Sequence, residues 1–442
     1  MRTVGSLVVA AAVAVAALAV PSQASDPTPC TAWPVYLGAD GVNAAGPDTS
    51  ANYWVSHYEG PAGASLVVRG QYPASRFFSF AVQDTSQQTL DSLRDNRIDP
   101  DRGSKNPFRV PVKKGVASRY TVNVDFGTTP AKPATNTIYT GQTLDGEPNV
   151  AGTVIYRVYV PTDQKDKLGG APLPSLAIRT PAGEVPLALT PACTALPPAA
   201  SGAVNPVLDN ASRPDQLPAQ QPSNKAYADP NFVRIFAGQL YEPVTNSLPA
   251  QAASLVPERK GIPLQNADFP YLMSSVARAH GPAVVVRFKP PTYPDTVRGQ
   301  SVLTPSLVRY WSVCTFSDTT EGALRTNGCL VDWKTAAGPD GWVRILVTDT
   351  AHKPATMPKG VHWLNWGPTA DDLVFFRVGV PAPSWKSSPT RIDPKAKDQV
   401  AAAARTMGAY YPLARSCTTV PTTAAAFDSC VSKGFGSPRR VG

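Results

Sequence analysis

No GxSxG elbow, HExxH helix, Walker-type phosphate loop or GxGxxG turn occurs in this chain of 442 residues. Those absences remove the usual signatures of a serine-hydrolase elbow, a zincin metal site, a nucleotide-phosphate cradle and a dinucleotide fold. None of the six cysteines is set in a CxxC pair, so neither a thiolate zinc site nor a redox dithiol is indicated. Beyond the N-terminal segment, no apolar run approaches the ~20 residues a bilayer-spanning helix needs, so no membrane span is expected in the mature chain. The densest basic segment, Arg102 to Arg119, holds Lys105, Arg109, Lys113 and Lys114 without a single carboxylate. Phe108 is its one ring, too little for a base-stacking platform, and nucleic acid is not expected as a partner. No cofactor is expected either.

What is present begins with a compartment signal. Arg2, the apolar run Leu7 to Val20 and the small-residue close Pro21-Ser22-Gln23-Ala24 form the pattern of a secretory signal peptide, with cleavage expected after Ala24. Thr28 and Pro29 ahead of Cys30 do not make a lipid-attachment site, so the mature protein is expected free of an anchor outside the cytoplasm. An even number of cysteines fits export as disulfides. Their positions favour Cys30 with Cys193 as a clasp around the first half, Cys314 with Cys329 across a hairpin, and Cys417 with Cys430 closing the tail, each bond worth about 2–4 kcal/mol. The formal charge of +9, one less once Arg2 leaves, makes an anionic envelope polymer a conceivable partner.

The chain also repeats itself. ANYWVSHYEG, LVVRGQYP, RFFSFAVQD, AKPATN and VIYRVYVP, between Ala51 and Pro161, return in the same order as FPYLMSSVAR, VVVRFKPPTYP, RYWSVCTFSD, HKPATM and VFFRVGVP, between Phe269 and Pro381. This predicts a first domain over 25–195, a linker rich in Pro, Ala and Ser over 196–225, a second domain over 226–390 and a tail over 391–442. Val122, Val124 and Phe126 alternate like Val343, Ile345 and Val347, as do Val154, Tyr156, Val158 and Val160 against Val374, Phe376, Val378 and Val380; alternation of this kind means half-buried strands. With 47 prolines punctuating short segments, the expected fold is mostly β: two tandem duplicated β-sandwich or jelly-roll-like domains with a short helical C-terminal tail. In that tail, Asp393 as cap, Pro394 and the alanine-rich stretch to Met407 predict one helix stopped by Gly408, burying Val400, Ala404 and Met407. A second is expected from Thr423 to Lys433.

Duplication sorts polar residues. Those found in both copies are expected to serve the fold, or else a binding site that both copies share and that would make the molecule bivalent: Arg69 and Arg287, Arg76 and Arg309, Ser79 and Ser312, Asp84 and Asp318, Lys132 and Lys353, Arg157 and Arg377. Arg76 with Asp84, and Arg309 with Asp318, are the expected ion pairs. Residues of one copy only are candidates for activity. The run GVHWLNWGP (Gly360 to Pro368) has no counterpart in the first copy, and Trp363, Trp366 and Asn365 offer indole faces and an amide suited to sugar rings, although tryptophans in strand-rich domains are also common core residues. Asp332, Asp349, His352 and His362 form the candidate acid–base set. Asp349, His352 and His362 lack a diagnostic ligand spacing, and no metal is assigned.

RYWSVCTFSD, CLVDWKT, VRILVTDTAHKPA, GVHWLNWGP and ARTMGAYYPLARSC together resemble a family of secreted bacterial proteins of unknown function with RYWS-type and WLPWG-type blocks. NYWVSHYEG and RFFSFAVQD are similar, more distantly, to the β-rich domain of unknown function twelve-fourteen. The resemblance implies an exported, strand-dominated protein and carries no catalytic residues; His362 and Asn365 stand where the family pattern has asparagine and proline. Three readings follow: a binding protein for a carbohydrate or other cell-envelope component, a secreted hydrolase of glycans or esters, and a structural envelope protein.

Overall fold

The computed structural model describes residues 32–38, 40–41, 43, 46–60, 63–85, 88–113, 115–187, 230–234, 266–318 and 324–432. The expected signal peptide, the expected 196–225 linker and the expected Cys30–Cys193 clasp lie outside the described residues. In the first copy the strands are β1 (Val35–Leu37), β2 (Ala51–Glu59), β3 (Ser65–Gln71), β4 (Ser75–Gln83), β5 (Thr89–Arg94), β6 (Arg119–Asp125), β7 (Thr137–Tyr139), β8 (Ala151–Pro161), β9 (Ser175–Thr180) and β10 (Gly183–Pro186). The second has β11 (Val233–Arg234), β12 (Tyr271–Ala277), β13 (Ala283–Phe288), β14 (Tyr310–Asp318), β15 (Leu324–Val331), β16 (Val343–Thr348), β17 (His362–Asn365), β18 (Asp371–Gly379) and β19 (Leu413–Cys417).

The two copies share one strand plan. The first packs β1-β2-β8-β4-β5 on β10-β9-β3-β6-β7; the second packs β11-β12-β18-β14-β15 on β19-β13-β16-β17. Every neighbour pair matches, down to the parallel edge pairs β6–β7 and β16–β17, and β10 alone has no counterpart among the described residues. Residue registers agree as well: Arg157 lies between Tyr53 and Ser79 as Arg377 lies between Tyr271 and Ser312. Even the backbone irregularity recurs, since Val160 (φ 47°) and Val380 (φ 48°) both adopt a left-handed conformation that β-branched residues avoid. Their N–H groups donate to Ser50 and Asp268, which occupy matching places. Two sequence alignments shift. With Arg69 level with Arg287, Val122 falls opposite Ile345's place rather than Val343's, and Asp84 is level with Ser317 rather than Asp318.

Each sandwich closes on its own core, with Phe78, Phe80, Tyr120 and Tyr156 in the first and Phe288, Trp311, Trp366 and Phe376 in the second. A third apolar cluster joins them: Phe77, Tyr159 and Val160 of the first pack on Phe269, Tyr271, Tyr310, Phe316 and Phe375 of the second, with Tyr159 and Phe269 rings 4.5 Å apart. The outer face of one sheet in each sandwich is therefore covered by the other sandwich. That is why β4, β8 and β18 are buried along nearly their whole length and read as unbroken apolar runs where a solvated sheet alternates.

Polar groups lock this interface reciprocally. Arg76 Nη1 donates to both oxygens of Asp332 at 2.6 Å, and Arg309 Nη1 donates to those of Asp95 at 2.6 and 2.7 Å. Arg76 and Arg309 hold matching positions, and so do Asp95 and Asp332, each accepting the backbone N–H of Phe78 or Trp311 at 3.1 Å. The expected pairings within one copy, Arg76 with Asp84 and Arg309 with Asp318, are thus replaced by pairings between copies, because the arginines point out of their own sandwich. Asp48 adds a third link, accepting from Tyr310 and Ser312 hydroxyls at 2.6 Å and from Arg377 at 3.3 Å, and Arg94 with Asp268 (3.1 Å) a fourth.

The tail packs on the second sandwich. Helix α1 (Gln399–Met407) is capped by Asp398, which accepts the Ala401 N–H at 2.9 Å, not by Asp393, whose carboxylate instead accepts from Lys395. It ends at Gly408 (φ 56°) and buries Ala402, Ala403 and Met407, a face rotated from the expected Val400–Ala404–Met407. Helix α2 (Ala424–Ser432) lays Phe427 and Val431 over Val285 and Leu346, and the Cys417–Cys430 disulfide ties it to β19. Cys314 and Cys329 are joined directly across β14 and β15. Among the described residues no helix is long and apolar enough to cross a membrane.

Candidate ligand site on the second sandwich

The residues read from the sequence as one acid–base set are divided by the fold. Asp332 follows the end of β15, beside the start of β14, tied to Arg76, Trp311 N–H and Trp333 N–H; burial pushes its carboxyl up to about 6 despite the Arg76 charge. Asp349 follows the far end of β16 and belongs to the opposite end of the sandwich, beside Ala370 and the start of β18. As an acid–base partner for Asp349, Asp332 is therefore corrected to an interdomain anchor. His362 is also set apart, its Nε2 2.8 Å from the Ala336 carbonyl.

Asp349 and His352 do meet. The His352 ring Nδ1 lies 2.7 Å from Asp349 Oδ1, and the same oxygen accepts the His352 backbone N–H at 2.8 Å. Asp349's other oxygen accepts from Arg278, whose Nη2 donates to the Gly367 carbonyl at 2.6 Å and Nε to Thr369 at 3.1 Å. Partial burial works to raise the Asp349 carboxyl, but the two His352 hydrogen bonds and the Arg278 charge hold it below its ordinary range. The His352 side chain remains 53% exposed.

The tryptophan loop supplies one surface ring rather than two. Strand β17 pairs in parallel with β16, placing Trp363 beside Leu346 on the outer face and Leu364 beside Val347 in the core. Trp363 is half-buried, its Nε1 donates to Thr348 Oγ1 at 2.9 Å, and Lys353 Nζ stands 4.2 Å from its ring centroid. Trp366, 1% exposed, is a core residue, so its assignment to ligand stacking is corrected. Asn365 shapes the turn: its carbonyl accepts from Thr315 Oγ1 at 2.5 Å and its side-chain oxygen from Gly367 N–H at 3.3 Å. Gly367 (φ 110°) cannot be replaced freely, since a Cβ there would lie 2.2 Å from Asn327 Nδ2 and 2.7 Å from Asp372 Oδ2.

Sequence reading passed over Asp372. It is buried against Thr369, Asn327 and the Arg278 charge, and that burial pushes its carboxyl well above the ordinary carboxylate range. The signal was available in the pairing of copies: the first has Gly152 where the second has Asp372, and Gly60 where it has Arg278. The first copy fills this end with Phe126 stacked on Tyr58, centroids 5.1 Å apart. Gln83, Asn149 and Thr153 are buried at this end of the first sandwich too, but counterparts of Arg278 and Asp372 are missing there.

The one grouping of potential metal ligands among the described residues is Asp48 with Cys314 and Cys329, and both sulfurs are consumed in their disulfide. No family model matches the chain, and no curated protein does. Among solved structures it is similar to an uncharacterized protein from Burkholderia cenocepacia, at 13% identity and a TM-score of 0.45 over 79% of each chain. It is also similar to a protein from Vibrio parahaemolyticus, at 13% identity and a TM-score of 0.37, over 83% of this chain and 89% of that one.

Proposed function

We propose that this chain is an exported binding protein for a carbohydrate component of the cell envelope, with the ligand seated against Trp363, Lys353 and His352 on the second sandwich and the first sandwich as its support. The observation that carries this reading is the Lys353 ammonium 4.2 Å over a half-buried indole at a place where the first copy has Thr137. An indole fixed by its own N–H bond offers a flat apolar face to a sugar ring, and the ammonium and imidazole beside it offer donors to hydroxyls or acid groups. The RYWS and WLPWG resemblance agrees with export, as does the N-terminal segment. Purified mature protein is expected to retain a subset of an envelope-glycan array, and Trp363→Ala to weaken that binding at least tenfold at unchanged unfolding midpoint. Equal retention by wild type and Trp363→Ala removes the loop from the function.

The Asp349–His352 contact favours hydrolysis of glycans or esters as a second reading, because a carboxylate-held imidazole that reaches solvent is the usual form of a general base. Turnover of chromogenic esters or glycosides that His352→Ala abolishes would replace binding by catalysis; no turnover in either protein leaves the binding reading in place.

A further inference from the structure

We propose that Arg287, Lys289 and Trp342 form a second ligand site, selective for an anionic group carried on a sugar ring, at the start of β16. Along β13, Val284, Val286 and Phe288 enter the core while Ala283, Val285 and Arg287 face outward. There the Arg287 guanidinium lies 4.3 Å from the centroid of Trp342, and Lys289 Nζ lies 5.6 Å from the same ring. Two cations thus share one half-buried indole.

Neither cation has a carboxylate within ion-pair distance among the described residues, and Arg287 Nε is buried without a hydrogen-bond partner. On the neighbouring strand Arg344, the residue directly across the ladder from Arg287, is held by both Asp340 and Asp428. The matching position in the first copy shows what normally satisfies this arginine. Arg69 is bound by both oxygens of Glu184, which β10 carries and which Arg179 also contacts at 3.2 Å. The second copy's sheet ends at β19, without a counterpart of β10 among the described residues, and its arginine meets Trp342 and Lys289 instead, residues at the places of Arg119 and Gln71 in the first copy.

The chemistry that fits is specific. Stacking on the indole fixes the guanidinium plane, so its N–H fork meets a planar carboxylate or a sulfate or phosphate ester with little loss of side-chain freedom. The ring itself takes the apolar face of the sugar bearing that group. Trp342 lies four residues before Leu346, the β16 partner of Trp363, so at ~3.3 Å per residue the two indoles stand roughly 13 Å apart along the strand and define separate sites.

Titration calorimetry of the mature chain with digalacturonate, a sulfated disaccharide and a neutral disaccharide of the same size tests the site. Binding of at least one acidic probe is expected, weakened severalfold on raising salt from 50 to 300 mM (about a halving of the screening length), with the neutral sugar silent. Which acidic probe binds identifies carboxylate or ester as the anion. Arg287→Met and Trp342→Ala are each expected to cost at least tenfold, and Trp363→Ala to change nothing. Lys289→Gln, at an exposed position, reports severalfold loss should either core-proximal variant fail to fold. No binding of either acidic probe, or unchanged affinity in folded Lys289→Gln together with Arg287→Met or Trp342→Ala, overturns the site.

Discussion

Asp332→Ala should lower the unfolding free energy of this chain by about 3–5 kcal/mol, read from the denaturant midpoint at pH 7. Asp332 and Arg76 are both inaccessible to solvent, so removing the carboxylate strands a guanidinium between two sandwiches and orphans the N–H groups of Trp311 and Trp333. Asp95→Ala, at the matching position, should cost a similar amount through Arg309 and Phe78. The same carboxyl sets a pH dependence. Because burial raises it to about 6 in the folded chain from an ordinary 3.8, the folded state binds a proton in that window that the unfolded state does not. Its contribution is therefore full below 3.8 and lost as pH rises through 6, amounting to at most about 3 kcal/mol. Asp332→Asn keeps the outline without titrating; it should cost less than alanine and flatten the profile between pH 4 and 6.5. A wild-type profile already flat there would contradict the burial of an ionisable group at this contact.

Gly152→Ala should cost about 3 kcal/mol, the upper end for overpacking, or prevent folding outright. A Cβ at Gly152 would stand 1.9 Å from the Gln83 carbonyl oxygen and 2.9 Å from the Tyr58 hydroxyl, and the first of these is backbone in the central ladder of its sheet. Gly328→Ala provides the contrast, since its Cβ would meet only Leu364 Cδ1 at 3.5 Å, an ordinary contact; that substitution should change the midpoint little. Thermal unfolding of both variants side by side checks the pair, and equal midpoints would mean that β4 and β8 separate more easily than their register indicates.

Much of the architecture was open to reading because it is written twice. Matching blocks gave the duplication, alternation gave strands, and the short spacing of Cys314 to Cys329 and Cys417 to Cys430 gave both described disulfides. Sequence failed where partners come from the other copy. Arg76 was matched to Asp84, its near neighbour, whereas its carboxylate lies 256 residues away, and nothing in local pattern encodes that distance. The tryptophan loop failed for a different reason. Trp363 and Trp366 are three residues apart, and an odd separation along an extended segment sends two side chains to opposite faces, so one was bound to enter the core. Asp372 went unnoticed because a carboxylate at a strand start looks solvated until its strand is seen to be covered on both sides.

The central strands that are hidden on both faces make each half a subunit whose mate is supplied by the same gene. A half produced alone would display the slab formed by Phe77, Tyr159 and their neighbours, or its counterpart around Tyr271 and Phe375, and would seek another copy or aggregate. Covalent linkage thus enforces a one-to-one stoichiometry instead of supplying adhesion, and a single proteolytic nick between residues 196 and 225 should leave a particle that elutes from a sizing column where the intact chain does.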